Sequence, residues 1–167
     1  KQGIENTNYL LRSKKRKFIL TIFEKRVSKK EVPFFMKLMD QLNNFKINCP
    51  KPKKNKNGSY LISIKNKTAC IVSFLNGKDK KKLNLKNCYD IGKMAAQMHL
   101  SSKKINLFRK NSMNIKNLTP LFNSIKFQSK EFTDDKNFLK NNFMDIKNKW
   151  PKNLPKGIIH GDLFIDN

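Results

Sequence analysis

Two hydrophobic rhythms in one chain predict an α+β fold, with an antiparallel sheet first and helices after it. Short apolar runs bounded by turn residues dominate residues 1–77, whereas apolar residues recur at helical spacing through most of residues 78–167. An Asn76-Gly77 break separates the two stretches. Residues 1–77 are therefore expected to form a sheet lobe carrying one helix, and residues 78–167 a mainly helical lobe.

Asn8–Ser13 and Lys17–Glu24 are apolar and aromatic runs joined by the basic turn Lys14–Arg16, the pattern of a β-hairpin. Glu5-Asn6-Thr7-Asn8 reads as a polar loop leading into the first strand. From Pro33, apolar residues at Phe34, Phe35, Leu38, Met39, Leu42 and Phe45 make one face of a helix. Pro33 suits its first turn, where a missing N–H costs nothing. Cys49-Pro50-Lys51-Pro52 forces extended chain, because proline disfavours the helical region for the residue before it. Asn57-Gly58 marks a turn, and Tyr60–Ile64 and Thr68–Phe74 read as strands. The second of these is almost wholly apolar, which predicts a central position.

Leu85–Leu100 predicts a helix with Ile91, Met94, Ala95 and Met98 on one side, and Gly92 and Ala96 allowing close packing. Thr119–Ser129 predicts a short helix. Thr133 is placed to cap another, with Asp134 and Asp135 in its first turn and Phe138, Leu139, Phe143, Ile146 and Trp150 along it, closed by Pro151. Gly157–His160 predicts a short strand entering a polar loop.

The chain has 37 Lys and Arg against 12 Asp and Glu, a formal net charge of +25. Such a charge ordinarily points to nucleic acid or an anionic membrane. Here the lysines spread over every segment, and the Phe residues fall at core positions rather than interleaving with basic ones as stacking platforms would. No specific nucleic-acid partner is expected, and weak salt-sensitive adhesion follows from charge alone. No stretch nears the roughly 20 apolar residues of a membrane span, so no membrane association is expected and a cytoplasmic location is the default. Cys49, Cys70 and Cys88 are odd in number and widely spaced, which argues against a disulfide framework.

The segment richest in chemistry is His160-Gly161-Asp162-Leu163-Phe164-Ile165-Asp166-Asn167. Protein kinases carry H-R-D-x-x-x-x-N, whose Asp meets the substrate hydroxyl and whose Asn, five positions on, holds magnesium. One short loop can supply both groups from a single rigid stem, the carboxylate near the attacking oxygen and the amide facing the phosphates. Asp162 and Asn167 have that spacing, with Gly161 where protein kinases have Arg. His160 is expected to be a buried, hydrogen-bonded loop residue, and His99 a packing residue on its helix. For Asp162 the bland alternative is a turn carboxylate.

HGDLFIDN resembles the catalytic loop of the aminoglycoside phosphotransferase and choline kinase superfamily. Gly3–Leu11 (GIENTNYLL), Phe18–Arg26 (FILTIFEKR), Val32–Leu42 (VPFFMKLMDQL) and Ile71–Gly77 (IVSFLNG) resemble homoserine kinases within it. Ile91–Leu100 and Trp150–Asn167 follow the same pattern, so the resemblance is colinear over nearly the whole chain. It implies a protein-kinase-like bilobal fold, lacking the first strand of the sheet lobe and part of the helical lobe. The activity implied is ATP-dependent phosphorylation of the L-homoserine hydroxyl, with ATP and Mg2+ as cofactors and ATP and L-homoserine as partners.

The same resemblance implies that Asp162 orients or deprotonates the hydroxyl and that Asn167 binds magnesium. Glu5, Asn6, Thr7 and Asn8 would form the tail of a phosphate-covering loop with backbone N–H groups facing phosphate. Ser73 to Leu75 would present backbone groups to adenine at a hinge. The chain departs from the kinase pattern where a phosphate-binding Lys belongs on the second strand of the hairpin. Thr21 stands there, with Lys25 further along as a candidate phosphate contact or a solvated surface residue. The chain alone is expected neither to transfer phosphate nor to complete its second lobe. Kinases for choline, ethanolamine or an aminoglycoside remain the alternative in class, and a noncatalytic basic RNA-binding module the alternative outside it. Oligomeric state leaves no mark on the sequence.

Overall fold

The computed structural model describes residues 6–24, 30–78, 80–125, 133–163 and 165. It contains β1 (Asn6–Arg12), β2 (Lys17–Phe23), α1 (Val32–Asn44), β3 (Leu61–Ile64) and β4 (Lys67–Ser73). These are followed by α2 (Leu85–Ser102), α3 (Ile115–Asn123) and α4 (Thr133–Asn148). The α+β order expected from the sequence is the order found. The strands form one antiparallel sheet in the order β1-β2-β4-β3. β4 is central, as its run of apolar residues required.

β1 and β2 pair from Asn6↔Phe23 to Arg12↔Lys17, and the turn between them closes with a 2.9 Å bond from the Ser13 N–H to the Arg16 carbonyl. β1 starts at Asn6, so Asn6, Thr7 and Asn8 belong to the strand and not to a loop before it. Their polarity concealed this; opposite Phe23, Ile22 and Thr21 they gain ladder partners that no local pattern reveals. The turn joining β3 to β4 places Lys65 and Asn66 at positive φ. Gly58, at φ +78°, makes the turn expected at Asn57-Gly58.

α1 lays one face on the sheet. Val32, Met36, Cys70 and Val72 are buried together, with Ile19, Phe23, Phe35, Met39, Tyr60 and Leu61 packed around them. Of the expected helix face, Leu42 is buried and Phe35 and Met39 pack against the core, but the α1 residues at its centre are Val32 and Met36, which that face left out, and Phe45 is 39% exposed. Pro52, buried, bridges Val72 and extends the sheet edge beyond β3.

α2 begins with a capping box in which Asn84 accepts from the Asn87 N–H at 2.9 Å and the Asn87 side chain accepts from the Asn84 N–H at 3.3 Å. Ala95, Met98 and Ser102 turn inward, whereas Leu85, Tyr89 and Leu100 are 90%, 68% and 62% exposed. Gly92 is not a close-packing position, for a Cβ added there would meet nothing within 4 Å.

α3 runs Ile115–Asn123 instead of Thr119–Ser129. Asn114 caps it by accepting from the Asn117 N–H at 3.1 Å, and Pro120 sits inside it. The end of the expected helix, from residue 126, lies outside the described residues. α4 opens at Thr133 and ends at Asn148, leaving Trp150 beyond it. Phe122 of α3 and Phe143 of α4 stack at 4.3 Å with rings 2° from parallel. The Gly157–His160 segment is not a strand: no described strand pairs with it, and an extended run without a ladder partner leaves its N–H and C=O groups to other acceptors and donors.

The chain divides into two compact units, one of Lys1–Phe108 with Gly157–Asn167 and one of Arg109–Lys156. The segment carrying Asp162 thus returns to the unit that contains the sheet.

Candidate active site

Asp162 stands in an exposed loop directly after Gly161, whose φ is +80°. That backbone conformation costs an L side chain about 1–2 kcal/mol, so a residue without Cβ belongs there. Nothing lies within 4 Å of where a Cβ would be, so the demand is on the backbone and not on space. The turn it makes sets the direction in which Asp162 leaves the preceding segment. His160 is exposed, contrary to the expectation of a buried loop histidine, because the segment before it gains no strand neighbours to cover it. Leu163 and Ile165 are likewise exposed, at 56% and 52%. His99, expected to pack, is exposed on the last turn of α2.

On β1 the polar residues divide between the two faces of the sheet. Thr7 is buried, and its hydroxyl donates to Glu24 Oε1 at 3.0 Å. Glu24 also pairs with Lys67 of β4, a contact on the sheet face away from α1. Asn6 and Asn8 face the other way, toward the core side shared by Ile19, Cys70 and Val72. There the Thr21 hydroxyl donates to Asn8 Oδ1 at 2.7 Å. Asn6 Oδ1 is buried and has no hydrogen-bond partner.

At the end of β4, Ser73 is bound into the fold. Its N–H donates to the Lys51 carbonyl at 2.9 Å, and its Oγ accepts from the Lys51 N–H at 2.9 Å. The Phe74 N–H donates to the Lys17 carbonyl at 3.3 Å. Leu75, 39% exposed, is the first residue past these bonds, and Lys17 Nζ lies 5.5 Å from the centroid of the Phe74 ring beside it.

The sequence-predicted residues therefore fall into three places: Asn6, Thr7 and Asn8 on β1, Ser73 and Leu75 at the exit of β4, and Asp162 in the loop that rejoins the same unit. Glu5, Lys25 and Asn167 lie outside the described residues. What sequence reading missed is the pairing of Asn8 with Thr21. Its signal is the hairpin register, which aligns the two once the Lys14–Arg16 turn is fixed. Among the described residues, no group of three His, Cys, Asp or Glu could hold a metal ion. Nor is any described helix long and apolar enough to cross a membrane.

The model of the phosphotransferase enzyme family matches residues 1–167. A homoserine kinase of Rhodopseudomonas palustris (strain BisA53) is 36% identical over 99% of this chain and 51% of its own length. A homoserine kinase of Paramagnetospirillum magneticum is 38% identical over the same shares, and one of Bradyrhizobium diazoefficiens 37%. The chain spans about half the length of the curated relatives it matches. Among solved structures, a spectinomycin phosphotransferase in complex with ADP and spectinomycin aligns with 87% of this chain and 47% of its own, at 12% identity and a TM-score of 0.47. That score is too low to support more than a passing likeness. The match along every residue, joined by relatives similar from end to end of it, fixes the assignment: the chain belongs to the phosphotransferase enzyme family.

Proposed function

We propose that this chain supplies the nucleotide lobe and the acid-bearing loop of an enzyme that phosphorylates the hydroxyl of L-homoserine from ATP. The observation that carries the reading is the likeness to homoserine kinases at 36–38% identity over 99% of the chain. In it, Asp162 accepts the hydroxyl proton as the substrate oxygen bonds the γ-phosphorus and the bond to the ADP oxygen breaks. Gly161 makes the positive-φ turn directly before this carboxylate. Leu75 offers backbone groups to adenine, since the N–H groups of Ser73 and Phe74 are already bonded within the fold.

The donor set suits magnesium in its chemistry. Asn167 would hold it through its amide oxygen, a ligand type that a hard divalent cation prefers over nitrogen or sulfur. When bound, the cation neutralises phosphate charge as the transferring group gains negative character.

The test joins this chain to the remaining half of the Rhodopseudomonas palustris relative and follows ADP release over L-homoserine, choline and kanamycin. Homoserine-dependent turnover that falls by about a thousandfold in Asp162→Asn, with ATP affinity retained, is the expected result. Turnover on choline or kanamycin in preference to homoserine would overturn the substrate, and full activity of Asp162→Asn would overturn the assigned base.

A further inference from the structure

We propose that the hairpin end of the sheet is a docking surface for the phosphate backbone of nucleic acid, bound without regard to base sequence. The inference goes beyond the kinase reading and does not depend on it.

Lysines are spread along the sequence, but the fold gathers some of them. Arg12, Lys14, Lys15, Arg16 and Lys17 close the β1–β2 hairpin, and all five are exposed. Lys51 and Lys53, also exposed, are drawn to the same end by the backbone. The Ser73 N–H donates to the Lys51 carbonyl at 2.9 Å, and the Lys53 N–H donates to the Ile71 carbonyl at 2.8 Å. The Phe74 N–H, bonded to the Lys17 carbonyl, joins that edge to the hairpin. No Asp or Glu occurs in residues 6–23 or 41–78. The described acids that flank these two stretches are engaged elsewhere, Glu24 with Lys67 and Asp40 with Tyr60. The gathered cations therefore repel one another, and a polyanion laid across them relieves that repulsion.

A second observation concerns where the flanking cations sit. Lys17 Nζ lies 5.5 Å from the centroid of the Phe74 ring, and Lys53 Nζ lies 5.8 Å from that of Phe18. By strand alternation Lys17 shares the face of Ile19, the core side, whereas Phe18 points away from α1. One ammonium is thus held over a ring on each face of the sheet. Those rings are taken by the protein's own cations, so bases find no open stacking platform on them. What this end offers is positive charge, and the matching chemistry is phosphate. Cations at a tip and on both flanks suit the two phosphate-lined walls of a duplex groove. A flat anionic membrane meets the tip and at most one flank.

The experiment follows fluorescence anisotropy of a labelled DNA duplex of about 20 base pairs over a range of salt concentrations. Three variants of the whole chain each remove three positive charges. The tip variant carries Lys14→Gln, Lys15→Gln and Arg16→Gln, and the flank variant Arg12→Gln, Lys17→Gln and Lys53→Gln. The control carries Lys93→Gln, Lys116→Gln and Lys140→Gln, on three exposed helical positions. Unfolding curves establish that each variant is folded. Tip and flank variants should each lose affinity by about tenfold or more near ~0.1 M salt, with a salt slope shallower by about two to three. The control should stay within about twofold of the parent. Equal losses in the control would overturn the inference, because attraction would then belong to net charge and not to this surface. Unchanged binding by the tip and flank variants, or no binding by the parent, would overturn it as well. A loss confined to the tip variant, with phosphatidylserine vesicles bound more tightly than DNA, would replace nucleic acid with a membrane and overturn the proposal.

Discussion

The phenol of Tyr60 donates a 2.7 Å hydrogen bond to Asp40 Oδ2, tying the entry of β3 to the middle of α1. Burial, then the hydrogen bond and the charge of Asp40, push the phenol up to about 12 from its usual 10. Lys54 Nζ lies 5.1 Å from the centroid of the same ring. α1 is thus held to the sheet by a polar clasp as well as by the Val32–Met36 core.

Tyr60→Phe should lower unfolding stability by about 1 kcal/mol at neutral pH, the net value of one such bond. The pH dependence has a definite sign. A phenol that keeps its proton longer when folded contributes fully below the unfolded pKa of about 10, and that contribution is lost as pH rises toward about 12. The stability gap between parent and variant should therefore narrow in urea titrations carried above pH ~10. A gap that stays constant across that range would contradict the assignment.

Gly161→Ala should leave most of the fold intact and damage the presentation of Asp162. In the hybrid kinase described above, turnover should fall on the order of tenfold, which is about 1.4 kcal/mol in the barrier. Because nothing lies within 4 Å of an added Cβ, crowding cannot account for such a loss. Gly161→Asn, which tolerates positive φ better than Ala, should recover part of the rate.

The stacked pair Phe122–Phe143 is the clearest tie between α3 and α4. A double-mutant cycle with Leu at each position should return a coupling of about 0.5–1.5 kcal/mol. Coupling indistinguishable from zero would mean that the two helices are joined by other contacts.

Alkylation should separate the three thiols, all of which are free. Cys88 is exposed and should react first. Cys49 is half-buried, with burial raising its pKa, and should follow slowly. Cys70 is 1% exposed and its thiol is pushed up to about 11 by burial, so it should react only on unfolding. Mass spectrometry of iodoacetamide-treated protein reads the order, and early labelling of Cys70 would show that the sheet core opens.

Features set by local chemistry were legible in advance. The Lys14–Arg16 turn, the Pro33 start of α1, the Asn57-Gly58 turn and the apolar run of β4 each announce themselves within a few residues. Features set by distant partners were not. Asn6–Asn8 became strand because β2 stands opposite, and Gly157–His160 did not because no described strand does. α3 was misplaced for a different reason: Asn114 before Ile115 and Leu118 is a capping signal, and the Thr119 start overlooked it. At the site, motif spacing singled out Asp162, whereas the Asn8–Thr21 bond needed the hairpin register before it could be seen.

α2 carries apolar residues on two sides of its circumference, one set turned inward and Leu85, Tyr89 and Leu100 turned to water. Large apolar side chains left on the water side of a helix favour contact with another apolar surface. Mutual repulsion between molecules of charge +25 keeps such surfaces apart while ionic strength is low. Salt removes that protection, since screening shortens to about 3 Å at 1 M. Sulfate goes further by strengthening apolar association itself. Handled as an isolated chain, this protein should be most tractable in dilute buffer and should self-associate as salt is raised, the reverse of the usual remedy for a strongly basic protein.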